Sequence, residues 1–249
     1  MTGHVDILMY HSISDRGGPT SILPETFAAQ MAALASSGRQ VVGIDALATE
    51  NWPDNSVVIT FDDAFQDFVT SAWPILEQRG FPAVVYVPTD HVANEEDWVG
   101  ALMPPRRLMD WADIRLLANE GVTFGSHSVS HPDLTALEDS VLMTEITRSK
   151  EVLEAELGTA VRHFAPPYGR SSPKVRKLIA QNYSTSVGTR LARAGPSSDR
   201  LDLPRIEMFY YSNPAVWYRH LSGRGKPYLN FRKGLRTVRN LVSHPASRA

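Results

Sequence analysis

The sequence predicts an α/β fold in which parallel strands alternate with helices, either as an open sheet or closed into a barrel. Short apolar runs rich in Val, Ile and aromatic residues alternate with amphipathic segments of roughly ten or more residues. The 249 residues, 43% hydrophobic and 21% charged, suffice for one globular domain with a substantial core. Because no internal repeat or low-complexity linker divides the chain, a single domain is expected.

The N-terminal part of the chain begins with a strand and then alternates. In order, the pattern predicts strand 4–10, helix 24–38, strands 40–44 and 56–61, helix 64–80 and strand 82–88. Pro24 favours a helix start and Gly38 a helix end, whereas Pro74 predicts a kink within the helix 64–80.

The remaining part continues the alternation. It predicts helix 110–121, strand 122–126, a long amphipathic helix near 138–157, strand 161–167, helix 172–182 and strands 184–189 and 201–208. A helix thus precedes most of these strands, as β-α units around a parallel sheet require.

Composition excludes several kinds of site. The chain has no cysteine, so disulfides, a thiolate nucleophile and sulfur-based zinc sites are excluded, and a bound metal needs histidine and carboxylate ligands. The first fourteen residues show neither the basic and apolar regions of a signal peptide nor a spanning helix. We therefore expect a cytoplasmic protein, with membrane association as the alternative.

Charge is distributed unevenly along the chain. Residues 208–249 contain eight Lys or Arg and no Asp or Glu, whereas residues 1–207 carry a net charge of −10. The stretch "FRKGLRTVRNLV" places Phe231, Leu235, Val238 and Val242 on one helical face. One interpretation is a terminal helix packed on the domain with a solvated basic face. The other is docking to an anionic membrane or a phosphate-bearing, lipid-linked sugar.

Polar residues follow four of the predicted strands. Strand 56–61 runs into Asp62 and Asp63, strand 122–126 into His127, and strand 4–10 into His11. The fourth, 161–167, leads to Tyr168. Active sites of parallel β/α folds lie at the carboxyl ends of strands. Adjacent buried carboxylates need a compensating positive charge, which a divalent metal held by one Asp, His127 and His131 would provide.

Three short motifs resemble one known family. "TFDDA" (60–64), "HSVSH" (127–131) and "APPYG" (165–169) resemble the first three motifs of the polysaccharide deacetylases, the NodB-like domain of carbohydrate esterase family 4. "LMYHSIS" and "LPRIEM" resemble the bacterial branch with an N-terminal Tyr-His strand. The resemblance implies a distorted (β/α) barrel over residues 1–208, followed by a basic, partly helical extension over 209–249. It also implies metal-dependent N-deacetylation of a GlcNAc-type glycan or glycan precursor.

The resemblance also implies roles for individual residues. Asp63, His127 and His131 resemble the metal ligands, and Asp62 resembles the base that activates a metal-bound water. The backbone N–H of Tyr168, beside Pro167 in the substrate-binding turn, would stabilise the oxyanion. Zinc suits this ligand set best, although cobalt or nickel would fit the same ligands.

Two departures from the family pattern affect the catalytic residues. Ala165 stands where the family has an arginine that orients the base, and Arg205 is the better candidate to replace it, ahead of Arg170. The late leucine-x-histidine motif that supplies the general acid has no match. We therefore hypothesise that His11 is the acid, with Asp199 or Asp202 raising its pKa, because a closed barrel places the first and last strands side by side.

Structural interpretations of these residues stay open. Asp62 and Asp63 are also suitable helix N-caps, the histidine pair could be loop residues, and Pro166–Tyr168 could be only a rigid turn. His11 could equally be a hydrogen-bonded core residue. The aromatic and basic residues of stretches 94–111 and 209–228 could contact a sugar or a phosphate. Packing within the core and loops explains them at least as well.

Alternative functions also stay open. A catalytically impaired glycan-binding protein and a hydrolase of small cyclic amides or ureides are both compatible with the motifs. Nucleic-acid binding has only the basic tail in its favour and is not expected.

Overall fold

Seven parallel strands form a closed barrel in the computed structural model, which describes residues 3–49 and 52–243, the last five of these by backbone alone. They are β1 (Val5–Tyr10), β2 (Ser56–Phe61), β3 (Ala83–Val87), β4 (Thr123–Ser126), β5 (His163–Phe164), β6 (Thr185–Leu191) and β7 (Leu203–Glu207). β1 pairs with β7 as well as with β2, so the first and last strands are neighbours. The predicted (β/α) barrel in a single domain is confirmed.

The barrel is distorted on one side. β5 has only two residues, and the pairing of β6 with β7 shifts register between Val187 and Leu191. Alternate residues of each strand point into the barrel or towards the helices. Inside, Gly125 leaves room for the aromatic ring of Tyr86, because a Cβ at residue 125 would lie 2.6 Å from Tyr86 Cδ1.

Helices surround this barrel. They are α1 (Pro24–Ala35), α2 (Trp73–Glu77), α3 (Trp111–Asn119), α4 (Asp139–Leu157), α5 (Pro173–Asn182), α6 (Pro214–Arg219) and α7 (Lys226–Ser243). Their boundaries follow local chemistry: Asp110 and Ser172 accept hydrogen bonds from the first-turn N–H groups of α3 and α5. Gly158 ends α4 with a φ of 66°.

Three predicted elements differ from the structure, and the first is strand 161–167, of which only His163–Phe164 pair as β5. Residues 40–44 are not a strand. Val41 forms only an isolated bridge to Val57 of β2, before the point at which β2 begins to pair with β3, and a 3-10 turn starts at Ile44. The predicted helix 64–80 is a π-helical turn, Phe68–Ala72, followed by α2. Pro74 has no N–H to donate to the preceding turn, so the regular helix starts there.

The C-terminal segment packs on the barrel through a buried polar network. Asp6 of β1 is fully buried and accepts hydrogen bonds from Arg39, Arg193 and His220. Burial tends to raise the pKa of Asp6, but the hydrogen bond from His220 and the charges of Arg39 and Arg193 hold it well below its usual range. Trp217 of α6 is also buried and donates to the Gln30 carbonyl.

The predicted boundary between residues 208 and 209 stays a prediction, as does the cytoplasmic location. No helix in the described part of the chain is long and apolar enough to cross a bilayer.

Candidate metal centre and active site

Two strand ends bring Asp63, His127 and His131 together. Asp63 lies two residues after β2, and His127 directly follows β4. Asp63 Oδ1 is 3.3 Å from His127 Nε2 and 3.3 Å from His131 Nε2. All three side chains are buried, and their donor atoms lie within 4.8 Å of one another. The three residues therefore form one compact cluster.

This cluster fits a divalent metal. Two ligands bound tetrahedrally about 2.0 Å from zinc lie about 3.3 Å apart, which matches both Asp63–histidine distances. His127 Nδ1 lies 2.6 Å from the Ala165 carbonyl oxygen. With its proton on Nδ1, His127 would donate this hydrogen bond and direct the lone pair of Nε2 at the cluster. Metal-binding histidines commonly make such a hydrogen bond with the ring nitrogen that does not bind the metal. Two imidazoles and one carboxylate leave positions open for water and substrate.

The cluster also attracts positive charge. Burial tends to raise the pKa of Asp63, but hydrogen bonds from His127 and His131 hold it well below its usual range. Burial tends to lower the pKa of His127, yet Asp63 and Asp62 raise it overall. A metal cation at this position would replace the proton that the carboxylates otherwise favour on His127. For His131 burial prevails and lowers the pKa.

Asp62 forms a buried ion pair with Arg205. Arg205 Nη1 and Nη2 donate to the two carboxylate oxygens at 2.6 and 2.7 Å, a bidentate arrangement. Arg205 also donates to the Gly188 carbonyl and to the Thr60 hydroxyl, which fixes its guanidinium inside the barrel. Burial tends to raise the pKa of Asp62, but Arg205 keeps it below its ordinary value. Asp62 is therefore an oriented carboxylate at neutral pH.

The arginine on Asp62 comes from β7, whereas residue 165 is a buried alanine after β5. Arg170, the other candidate considered, pairs with Asp133 at the surface. The positive charge beside the base is thus present, although it is supplied from a different strand of the barrel.

His11 borders the same cluster. It follows β1, its side chain is 16% exposed, and its Nε2 lies 3.8 Å from Asp62 Oδ2. The loop that carries it is held by Asp67, which accepts hydrogen bonds from the Ser12 hydroxyl and the Ile13 N–H. His11 therefore lies beside Asp62 while remaining partly open to solvent.

The predicted partners of His11 are wrong. Asp199 and Asp202 precede β7, and the register Met9–Glu207 places His11 at the opposite end of that strand. The carboxylate in contact with His11 is Asp62; burial raises the pKa of Glu207, at the end of β7, and His11 opposes this effect from a distance. Of the two late histidines, His220 binds Asp6 on the outer side of β1, and His244 lies outside the described residues.

The turn Pro167–Gly169 forms another side of the cluster. Pro167 is buried, whereas Tyr168 is 37% exposed, with its ring centroid 4.9 Å from that of His131. Tyr168, Asp63 and His131 all have a positive φ, which is unfavourable for residues other than glycine. Such backbone strain concentrates at functional sites, where the surrounding structure maintains it.

Two further residues support the histidines. The indole of Trp98 stacks on His131, with ring centroids 4.2 Å apart. Glu145 of α4 accepts hydrogen bonds from the Val129 and Ser130 N–H groups and from the Ser130 hydroxyl. The sequence indicated an aromatic stretch at 94–111 but gave no reason to select Trp98. Glu145 carried no signal, because it lies within an ordinary amphipathic helix.

Comparison with known proteins shows which proteins this chain resembles. A family model described as polysaccharide deacetylase matches residues 49–186, more than half of the chain. The Bacillus subtilis (strain 168) protein YxkH, whose name assigns it provisionally to the polysaccharide deacetylases, is 24% identical over 208 residues, covering 81% of this chain and 70% of its own. A poly-β-1,6-N-acetyl-D-glucosamine N-deacetylase of Staphylococcus epidermidis is 24% identical, covering 62% of this chain and 55% of its own. The chain thus spans little more than half of this second relative.

A solved structure shows the same similarity in three dimensions. The Streptococcus pyogenes deacetylase PplD in complex with acetate superposes with a TM-score of 0.72 at 26% identity. The match covers 83% of this chain and 92% of that one.

Proposed function

Because the chain belongs to the polysaccharide deacetylase family, we propose that it is a metal-dependent hydrolase that removes acetyl groups from an N-acetylated sugar. The observation that carries this proposal is the joint placement of the cluster Asp63, His127 and His131 beside the oriented carboxylate of Asp62. The reaction converts the N-acetyl amide and one water into a free amine and acetate.

Asp63, His127 and His131 would hold the metal. A divalent metal bound there polarises the acetyl carbonyl and lowers the pKa of water. Zinc suits the two imidazoles and one carboxylate, and cobalt and nickel are the alternatives. The catalytic use of these ligands is part of the proposal.

Asp62 would act as the general base. Its lowered pKa keeps it ionised at neutral pH, and the bidentate contact with Arg205 fixes the orientation of its oxygens. It would accept the proton of the attacking water. Because Arg205 supplies the charge that Ala165 lacks, the absence of an arginine at residue 165 does not by itself favour a catalytically impaired protein.

The remaining roles fall to Tyr168 and His11. The backbone N–H of Tyr168 would donate a hydrogen bond to the developing oxyanion, with Pro167 shaping the turn. His11, 3.8 Å from Asp62 and partly exposed, would donate a proton to the leaving amine. If His11→Ala kept full turnover, the acid would have to be sought elsewhere.

The names of the relatives indicate only a broad class of substrate. The Staphylococcus epidermidis relative is named for poly-β-1,6-N-acetyl-D-glucosamine, and we propose a GlcNAc-type glycan or glycan precursor here. A nucleotide- or lipid-linked N-acetylated sugar is the finer prediction, motivated by the basic residues of the C-terminal segment. Peripheral contact of that segment with an anionic membrane is a separate prediction about location.

The test is acetate release from N-acetylglucosamine oligomers and from nucleotide- and lipid-linked N-acetylated sugars. It compares chelator-treated protein, protein with zinc restored, and Asp62→Asn, with Asp199→Asn as the matched carboxylate control. Zinc-dependent acetate that disappears only in Asp62→Asn supports the proposal. Tight zinc binding without acetate from any sugar, combined with hydrolysis of small cyclic amides, would instead favour the ureide-type hydrolase.

A further inference from the structure

The helix α7 exposes apolar side chains to solvent. Phe231, Leu235 and Val238 are 60%, 47% and 58% exposed, and their spacing of four and three residues puts them on one face. We call these three residues the apolar stripe. A terminal helix that packed on its own domain in the usual way would bury such a face.

Contacts at the start of α7 keep the stripe pointing outward. Leu229 is buried, and Lys226, Asn230 and Lys233 line a cavity of about 430 Å³ between α7 and the barrel. The Arg232 guanidinium lies 3.8 Å from the centre of the Tyr210 ring. The side of α7 that carries Leu229 and Arg232 therefore faces the barrel, whereas Lys226 and Lys233 are exposed at the edge of the cavity. α7 thus packs on the domain, as one interpretation of the sequence expects, but not through Phe231, Leu235 and Val238.

The surroundings of the stripe are positively charged. Residues 208–249 contain eight basic and no acidic residues, against a net −10 for the rest of the chain. In the part of the chain that the structure describes, no carboxylate lies within 4.0 Å of the charged groups of these side chains: Arg219, Arg224, Lys226, Arg232, Lys233 and Arg236. Their charge is therefore not neutralised by internal ion pairs.

We propose that the apolar stripe of α7 docks the protein on an anionic lipid bilayer. An exposed apolar face on a helix rich in Lys and Arg is the arrangement that binds the interface of anionic membranes. The negative leaflet attracts the basic segment and repels the acidic remainder, so the protein would approach with α7 first. Three apolar side chains are a small anchor, so binding should need both the stripe and the charge.

Vesicle flotation of the whole chain tests this proposal. The vesicles contain phosphatidylcholine alone or phosphatidylcholine mixed with phosphatidylglycerol, at low and high salt. The stripe variant is Phe231→Ser/Leu235→Ser/Val238→Ser. The matched control is Leu116→Ser/Met143→Ser, which removes two apolar side chains that are 54% and 51% exposed on α3 and α4.

We expect salt-sensitive flotation with the phosphatidylglycerol vesicles, unchanged in the control and weakened about tenfold or more in the stripe variant. Absence of flotation, or equal flotation of the stripe variant, would overturn the proposal. The proposal would also be overturned if the wild type were a dimer that does not bind vesicles and the stripe variant were a monomer. That result would mean that a second copy of the chain covers the stripe. Acetate release from a soluble oligomer, measured on the same samples, reports on the deacetylase proposal independently.

Discussion

Replacing Arg205 by methionine tests whether the guanidinium from β7 controls the base. Arg205→Met keeps a long side chain inside the barrel but removes both hydrogen bonds to Asp62, at 2.6 and 2.7 Å. Asp62 is only 3% exposed, so bulk solvent screens the lost charge poorly. The variant therefore leaves an ionised carboxylate buried without a counter-charge.

The expected magnitude follows from these contacts. Hydrogen bonds to charged groups contribute about 1.5–3 kcal/mol each, and removal of one partner of a buried ion pair costs about 3–5 kcal/mol. We expect the free energy of unfolding at pH 7 to fall by about 3–5 kcal/mol. Because burial remains while the opposing charge is gone, the pKa of Asp62 should move from below to above its ordinary value.

The change in pKa direction reverses the pH dependence. In the wild type, the lowered pKa of Asp62 contributes stability that is present above its unfolded pKa, about 3.9, and is lost as pH falls through the lower folded value. In Arg205→Met, the raised pKa destabilises the protein at neutral pH, and acidification through the raised pKa relieves part of that loss. The acidic limb of the activity profile should also move to higher pH, because Asp62 must be ionised to act.

Urea unfolding at several pH values and acetate release across pH measure both effects. Arg205→Lys should be intermediate, since it keeps the charge without the bidentate fork, and Arg200→Met is the control at an exposed arginine. The double variant Ala165→Arg/Arg205→Ala should be more active than Arg205→Ala alone, because the arginine at residue 165, after β5, would again place a positive charge beside Asp62. A loss of stability below about 1 kcal/mol with an unchanged pH profile would refute the assigned role of Arg205.

Three other substitutions have defined outcomes. Asp6→Asn should lower stability by about 3 kcal/mol at pH 7. It should also remove the part of the wild-type stability that is lost below about pH 4, as urea unfolding would show. Gly125→Ala should cost about 1–3 kcal/mol, because its Cβ meets the Tyr86 ring at 2.6 Å; thermal unfolding measures it. Glu145→Ala should weaken zinc binding on the order of tenfold by releasing the loop before His131, measured by chelator competition.

Each of these has a matched control. Asp54→Asn changes an exposed carboxylate near the start of β1, Gly43→Ala adds a Cβ with open space around it, and Glu151→Ala changes an exposed glutamate on the same helix as Glu145. Equal effects of control and test variants would contradict the corresponding explanation. For Glu145→Ala, an unchanged zinc affinity would show that the loop keeps its shape without the three hydrogen bonds.

The sequence pattern predicts parallel strands and a metal site built from one Asp, His127 and His131, whereas closure into a barrel and the choice of Asp63 as the ligand came from the family resemblance. The alternation of strands and helices can be recognised from the local hydrophobic pattern. In a parallel fold this alternation places the carboxyl ends of all strands on one rim. The contact of His11 with Asp62 was not predicted, because it depends on how the ends of β1 and β2 are placed side by side in the folded chain. Trp98 and Glu145 come from a loop and a helix that contact the histidines only in the folded chain.

The closure of the barrel determines when the protein can become active during its synthesis. Asp62 leaves the ribosome long before Arg205, which lies on the last strand to be made. Until β7 joins β1, the nascent chain must keep a carboxylate solvated that the finished barrel buries. A ribosome that stops before residue 203 therefore releases a product without an assembled centre, exposed to proteases and chaperones. The pair of Asp62 and Arg205 therefore cannot form before β7 has been made and has paired with β1.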